Sequence, residues 1–220
     1  MPFRNRTEAG IELAKALSHH RDHHPVVLAL PRGGVPVAAE VARALDAPLD
    51  LVVARKIGVP FQPELAMGAV VDGDTPIVVR NDDVIGATGI GAAEFDSICQ
   101  KEIAEIKRRR DRYLGGRKPV EIAGKTVIVV DDGIATGATF RAALRATRAR
   151  GPQRLVLATP VAPGDTLREL EKEVDEVVCL ETHEFFGSIG EYYSDFSQVS
   201  DDEVVSLLAS PKSVGGGPDT

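Results

Sequence analysis

Asp131 and Asp132 stand side by side where an apolar run, Val127 to Val130, gives way to the small-residue turn Gly133, Ile134, Ala135, Thr136, Gly137, Ala138 and Thr139. Four β-branched residues in a row read as a buried strand of the parallel-sheet kind, and the Ala, Arg and Leu residues from about Thr139 onward read as a helix. A turn that opens onto a helix N-terminus presents backbone N–H groups and partial positive charge, and Thr136 and Thr139 add hydroxyl donors. A phosphate monoester is held by such a turn without any lysine. Carboxylates just upstream repel that phosphate but suit hydroxyls and a divalent cation. A ribose 5-phosphate satisfies both halves, with hydroxyls toward Asp131 and Asp132 and phosphate in the turn.

VIVVDDGIATGAT resembles the motif with which type I phosphoribosyltransferases bind phosphoribosyl pyrophosphate (PRPP). There, too, apolar residues precede two acidic residues and a Thr-Gly-x-Thr turn. The bare alternative is a strand-to-helix turn with two capping aspartates and no ligand, which leaves both carboxylates at a buried strand end without a purpose.

A second unit of the same kind lies upstream. Pro25 to Leu30 is an apolar strand, PRGG (Pro31 to Gly34) a turn, and VPVAAEVARAL a helix. Arg32 offers a fork of N–H donors, and Gly33 and Gly34 allow close backbone approach. Turns after parallel strands gather at the carboxyl edge of the sheet, where ligands of open α/β folds bind. In the family the equivalent loop contacts pyrophosphate. Leu49 to Ala54 reads as a third strand, ending in Arg55 and Lys56. That pair resembles the Arg-Lys that begins the mobile catalytic loop of orotate phosphoribosyltransferases; alternatively both side chains snorkel at a sheet edge. The stretch after them, with a hairpin turn expected at Asp72-Gly73-Asp74, is a candidate lid.

The resemblance implies an α/β fold: a doubly wound, mainly parallel sheet with helices on both faces and a small hood from the N- and C-terminal segments. It spans about Phe3 to Leu208 and is nearest to bacterial phosphoribosyltransferases predicted from sequence, whose acceptor is unassigned. The expected division is one domain over 1–208, with a core of 25–180, a hood from 1–24 and 181–208, a helical insertion at 81–118, and a disordered tail at 209–220. The implied substrates are PRPP and a nitrogenous base, with Mg2+ as cofactor held by Asp131 and Asp132 through water. Arg32, Arg55 and Lys56 are assigned to the leaving pyrophosphate, and the role implied is nucleotide metabolism and nucleoside salvage. Where 6-oxopurine enzymes carry an aspartate before the Thr-Gly pair, this chain has Ala135, which weakens a hypoxanthine or guanine acceptor. A non-catalytic PRPP-binding regulator of the same fold is the rival reading.

The remaining segments carry less. Thr7 to Leu17 reads as a helix capped by Thr7, with Ile11, Leu13, Ala14 and Leu17 on one face. His19, His20, His23 and His24 invite a metal reading, but their place between a helix end and Pro25 favours a solvated terminus. GATGIG at 86–91 follows a segment too short and polar for a buried strand, which argues against a dinucleotide site. Ala92 to Leu114 is a long charged helix with Phe95, Ile98, Ile103, Ile106 and Tyr113 as its apolar stripe and Arg108 to Arg110 as its solvated end. Arg154 to Thr159 and Glu176 to Leu180 are further strands, with a helix at Thr166 to Lys172 between them. Phe185, Phe186, Tyr192, Tyr193 and Phe196 either pack over the sheet or stack on a planar base.

Composition narrows the classes. Of the 220 residues, 43% are hydrophobic and 27% charged, as in ordinary globular domains, and the net charge of −7 disfavours nucleic-acid binding. Cys99 and Cys179 have no metal-site or disulfide spacing. MPFRNRTEAG has no apolar core of signal-peptide length, and no run reaches the roughly 20 apolar residues of a membrane span. The expectation is a cytoplasmic protein of small-molecule partners, with homodimerisation open.

Overall fold

A computed structural model describes residues 2–72 and 76–209. Five parallel strands form the central sheet: β1 (Val26–Ala29), β2 (Leu49–Leu51), β6 (Thr126–Val130), β7 (Arg154–Pro163) and β8 (Glu176–His183), in the spatial order β2-β1-β6-β7-β8. Every residue of β1 and β6 is buried, because helices cover both faces. Alternation along the strands sorts the side chains. Val27, Ala29, Ile128 and Val130 face one apolar cluster with α1 (Arg6–Ala16) and α2 (Gly34–Leu45). Val26, Leu28, Val127 and Val129 face another with α5 (Ala138–Ala149) and α6 (Gly164–Leu170). The doubly wound architecture is therefore as expected.

From β1 the chain moves outward to β2, and from β6 outward the other way to β7 and β8. The order reverses between β1 and β6. Their carboxyl ends open the crevice in which ligands of such sheets bind, and the turns that leave β1 and β6 line it.

The apolar run Leu49 to Ala54 is not one strand. β2 ends at Leu51, and after Val52 and Val53 the chain enters a separate antiparallel sheet of β3 (Ala54–Val59), β4 (Gln62–Val71) and β5 (Ile77–Arg80). Arg55 and Lys56 thus lie inside a strand of this second sheet rather than in a loop after a central one. Of the turn expected at Asp72-Gly73-Asp74, Gly73 and Asp74 lie outside the described residues, as does the tail beyond Ala209, whereas Asp72 is described and buried. α3 (Asp82–Thr88) and α4 (Ala92–Leu114) follow β5. Gly86, Gly89 and Gly91 of GATGIG face open space and follow no parallel strand, so no dinucleotide turn is built there.

Several local expectations shift for identifiable reasons. Asn5, not Thr7, caps α1, its side chain accepting the Glu8 N–H at 3.0 Å. Ile11 is exposed, while Leu13, Ala14 and Leu17 are buried. Ile98 and Ile103 are only partly buried, and Cys99 and Leu114 join Phe95, Ile106 and Tyr113 in the core. Arg108 and Arg109 pair with Glu105 at the surface, whereas Arg110 pairs with the buried Asp72. Strand β8 runs on to His183, because its pairing with β7 continues through Thr182 and His183. The helix expected at Thr166 to Lys172 begins earlier, at Gly164, and ends in a 3-10 turn over Glu171–Glu173. Both cysteines are free thiols.

The candidate site at the sheet crossover

Two features build the turn from Gly133 to Thr139. Gly137 takes φ of 72° as the residue before α5, a left-handed conformation that an L side chain rarely adopts. A Cβ there would also meet Thr166 Cγ2 at 2.7 Å. The turn is pinned from outside: the Ile134 N–H donates to the Val161 carbonyl at 2.9 Å, and the Thr166 hydroxyl donates to the Ala135 carbonyl at 3.0 Å. Thr136 and Thr139 remain exposed, and the first N–H groups of α5 have no partner within their helix. Asp131 and residues 133–140, with Ile189, surround a cavity of about 180 Å3. A site of positive potential at a helix N-terminus and a carboxylate thus share one small space.

The two aspartates do different things. Asp131 borders that cavity, with Oδ1 accepting the Asp132 N–H at 2.9 Å. Burial, with the Asp132 carboxylate next in weight, pushes its acid well above the ordinary aspartate range. Asp132 is 7% exposed and turns the other way, its Oδ2 accepting from Arg6 Nε at 2.7 Å. The Tyr193 hydroxyl donates to the Asp132 carbonyl at 2.5 Å, and burial raises the phenol far above its usual value. Arg6 lies 3.9 Å from the centre of the Phe196 ring, and Phe3 and Tyr193 are bridged in parallel register. Of the five C-terminal aromatics, Tyr193 is buried, whereas Phe185 is 94% exposed.

The β1 turn closes against the same carboxylates. A Cβ on Gly33 would collide with the Asp132 carboxylate, and one on Gly34 would stand 2.7 Å from the Val130 carbonyl. Glycine is required here for close approach, not for backbone conformation. Arg32, expected to offer its fork to phosphate, is instead 3.7 Å from Asp201 at the start of α7 (Asp201–Leu208), where Tyr113 and Arg112 also converge.

The cationic pair splits as well. Arg55 Nε donates to Glu102 on α4 at 2.6 Å. Lys56 borders a cavity of about 500 Å3 between the antiparallel sheet and α5, shared with Thr136, Thr139, Arg80 and Arg141, and also a second cavity against α4. Lys56 therefore shares a cavity with the turn before α5, and Arg55 is not among its lining residues.

Arg6 was not singled out in the sequence, Thr166 only as the start of a helix, and Tyr193 only as one of five aromatics that pack or stack, not as a partner of Asp132. Each acts across a long chain separation on a residue that was singled out, and only the placement of Arg6 at the start of α1 hints at a charge near a helix entrance.

Donor chemistry fits a hard divalent cation. Mg2+ characteristically binds through one or two carboxylates, waters and substrate phosphates, and Asp131 offers one carboxylate beside the helix N-terminal turn of residues 133–139.

Comparison with known proteins gives the family and the fold. Residues 4–197 match the family described as "Phosphoribosyl transferase domain". A protein named "Putative phosphoribosyl transferase" in two strains of Mycobacterium tuberculosis is 48% identical over 206 residues, covering 94% of this chain and 46% of the relative. The chain thus spans about half the length of these curated relatives. The crystal structure of TT1426 from Thermus thermophilus superposes with a TM-score of 0.83 at 39% identity, over 94% of this chain and 98% of that one. The AQ2163 protein of Aquifex aeolicus shares the fold alone, with a TM-score of 0.50 and 13% identity over 84% of this chain and 78% of that one.

Proposed function

Because the chain belongs to the phosphoribosyl transferase domain family, we propose that it transfers the 5-phosphoribosyl group of PRPP to a nitrogenous base, or runs the reverse reaction, and releases pyrophosphate. The observation that carries this reading is the pairing, at the reversal of strand order, of the Asp131 carboxylate with a glycine-hinged turn whose Thr136 and Thr139 are exposed at a helix N-terminus.

In the forward direction the C1–O bond to pyrophosphate breaks with its electron pair leaving on oxygen, a base nitrogen bonds to C1, and the nitrogen loses its proton. Positive character builds on the ribose, so catalysis rests on positioning and on charge at the leaving group, without a protein nucleophile. Residues 133–139 hold the 5-phosphate far from the reacting carbon, and that remote binding energy fixes the ribose. Asp131 orients the ribose hydroxyls and is the residue that would hold Mg2+, directly or through water. Mg2+, when bound, supplies positive charge beside the departing pyrophosphate. Asp132 acts one step back, fixing Arg6 and the terminal segments over the site. Lys56 supplies the cation for pyrophosphate; Arg55 holds β3 to α4; Gly33 and Gly34 let the β1 turn close on the carboxylates. The segment from Phe185 to Phe196 is the hood that receives the base, with Ala135 at its edge instead of a carboxylate.

The test is calorimetric titration with PRPP and Mg2+, for the native chain and for Asp131→Asn, followed by a panel of nucleobases. Native binding that disappears in Asp131→Asn, with pyrophosphate released by one base, is the expected result. No PRPP binding by the native chain overturns the reading.

A further inference from the structure

His19, His20 and Glu176 meet at the end of the molecule opposite the crevice. Glu176 is the first residue of β8, which runs parallel to β6, so its side chain lies by the amino ends of strands whose carboxyl ends carry Asp131. The two histidines come from the single 3-10 turn Ser18–His23 that links α1 to β1. One donor atom from each residue can be chosen so that all three lie within 4.8 Å of one another. His19 Nε2 is 2.9 Å from Glu176 Oε1, and His20 Nε2 is 3.2 Å from Glu176 Oε2.

The exposed-terminus expectation fails at one residue. His20 is 1% exposed, and both of its ring nitrogens are covered without a hydrogen-bond partner, the Glu176 oxygen lying close but off the line of a bond. A buried imidazole needs something for its lone pair. Arg154 takes Glu176 Oε2 at 2.9 Å and orients the carboxylate, leaving Oε1 toward His19. The His19 side chain is 54% exposed, which leaves one side of the cluster open to solvent and to entry.

We propose that His19, His20 and Glu176 form a binding site for a borderline divalent transition-metal ion of the Zn2+ class, with water in the remaining position. Two imidazoles and one carboxylate are a donor set that zinc accepts, and donors about 2.1 Å from a tetrahedral ion sit about 3.4 Å apart, within reach of three donors that already lie within 4.8 Å of one another. The ion ties the turn after α1 to the edge strand β8. It is separate from the Mg2+ position proposed at Asp131, which is a carboxylate and phosphate environment for a harder cation.

The experiment uses the full chain stripped with chelator and titrated with Zn2+ by calorimetry and with Co2+ by visible absorption. One ion per chain is expected, with the d–d spectrum of a low-coordinate cobalt site and a raised melting temperature. His19→Ala, at a half-exposed position, and Glu176→Gln should each weaken binding by about tenfold or more, while His24→Ala and Asp131→Asn leave it unchanged. Circular dichroism of His19→Ala and Glu176→Gln separates loss of the site from loss of the fold. Absence of binding, binding unaltered in a folded His19→Ala, or binding lost in His24→Ala overturns the proposal. Failure of PRPP to bind leaves it untouched.

Discussion

Arg6 and Asp132, 126 positions apart in the chain, form an ion pair of 2.7 Å in which the side chains keep 11% and 10% of their exposure. The pair joins the first turn of α1 to the carboxyl end of β6, and the Phe196 ring lies under the guanidinium. Removing one partner leaves the other charge buried and uncompensated. Arg6→Met should therefore cost about 3 kcal/mol in urea unfolding, and Arg6→Met with Asp132→Asn should recover part of that loss. An additive double mutant would show that the two side chains are not coupled.

Gly33 and Gly34 should respond differently to alanine. At Gly33 the new methyl strikes the Asp132 carboxylate, which Arg6 holds in place. At Gly34 it strikes backbone, the Val130 carbonyl and, at 2.9 Å, Asp131 Cα. Gly34→Ala should lower stability by about 1–3 kcal/mol, as overpacking against an immobile neighbour does. Gly33→Ala should weaken PRPP binding at least as much as it weakens the fold, because the displaced group belongs to the site. Comparing melting temperatures and PRPP affinities of the two variants decides it.

The central motif was legible because it is local. A buried β-branched strand, two carboxylates, a glycine turn and a helix follow one another within 20 residues, and each step rests on a near-neighbour rule. What the sequence hid is tertiary. The apolar run from Leu49 to Ala54 looks continuous, yet Val52 and Val53 carry the chain from one sheet to another, and both halves are equally buried. Arg6 and Tyr193 reach Asp132 from far apart in the chain, and no local pattern ties either of them to that residue. His20 reads as the end of a polar helix until the start of β8 covers it.

The arginine-paired surface carboxylates should lose their stabilising contribution from about pH 4.5 downward, against an opposite contribution from the buried Asp131 and Asp72, whose carboxyls are raised. The Glu105 carboxyl is lowered to about 2, chiefly by the hydrogen bond from Arg108 and then by that from Arg109. The Glu173 and Asp175 carboxyls are also lowered, mainly by Arg145 and by Arg148. A carboxylate with a depressed folded value binds fewer protons than in the unfolded chain, so its contribution is present above the unfolded value and is lost as pH falls through the folded one. Melting temperatures of the native chain and of Glu105→Gln from about pH 4.5 to about pH 2.5 isolate the part of Glu105, and the decline over that window should be shallower in the variant. An unchanged slope in that variant would remove Glu105 from the account.

Lys56 and Arg55, adjacent in sequence, should separate functionally. Arg55 is engaged by Glu102 on α4, and both are partly buried; Arg55→Ala therefore leaves Glu102 without this partner and should lower the melting temperature. Lys56 borders the cavity that Thr136, Thr139, Arg80 and Arg141 also line. If that cavity receives the pyrophosphate end of PRPP, Lys56→Ala removes a point charge from an anion's surroundings and should weaken binding of inorganic pyrophosphate by roughly tenfold, the scale of one charge-assisted hydrogen bond. Its melting temperature should move less than that of Arg55→Ala. Calorimetric titration of both variants with pyrophosphate and Mg2+ measures the difference. Equal losses of pyrophosphate affinity would mean that Arg55 leaves Glu102 to act beside Lys56, and an unaltered affinity in Lys56→Ala would remove this cavity from the leaving-group site.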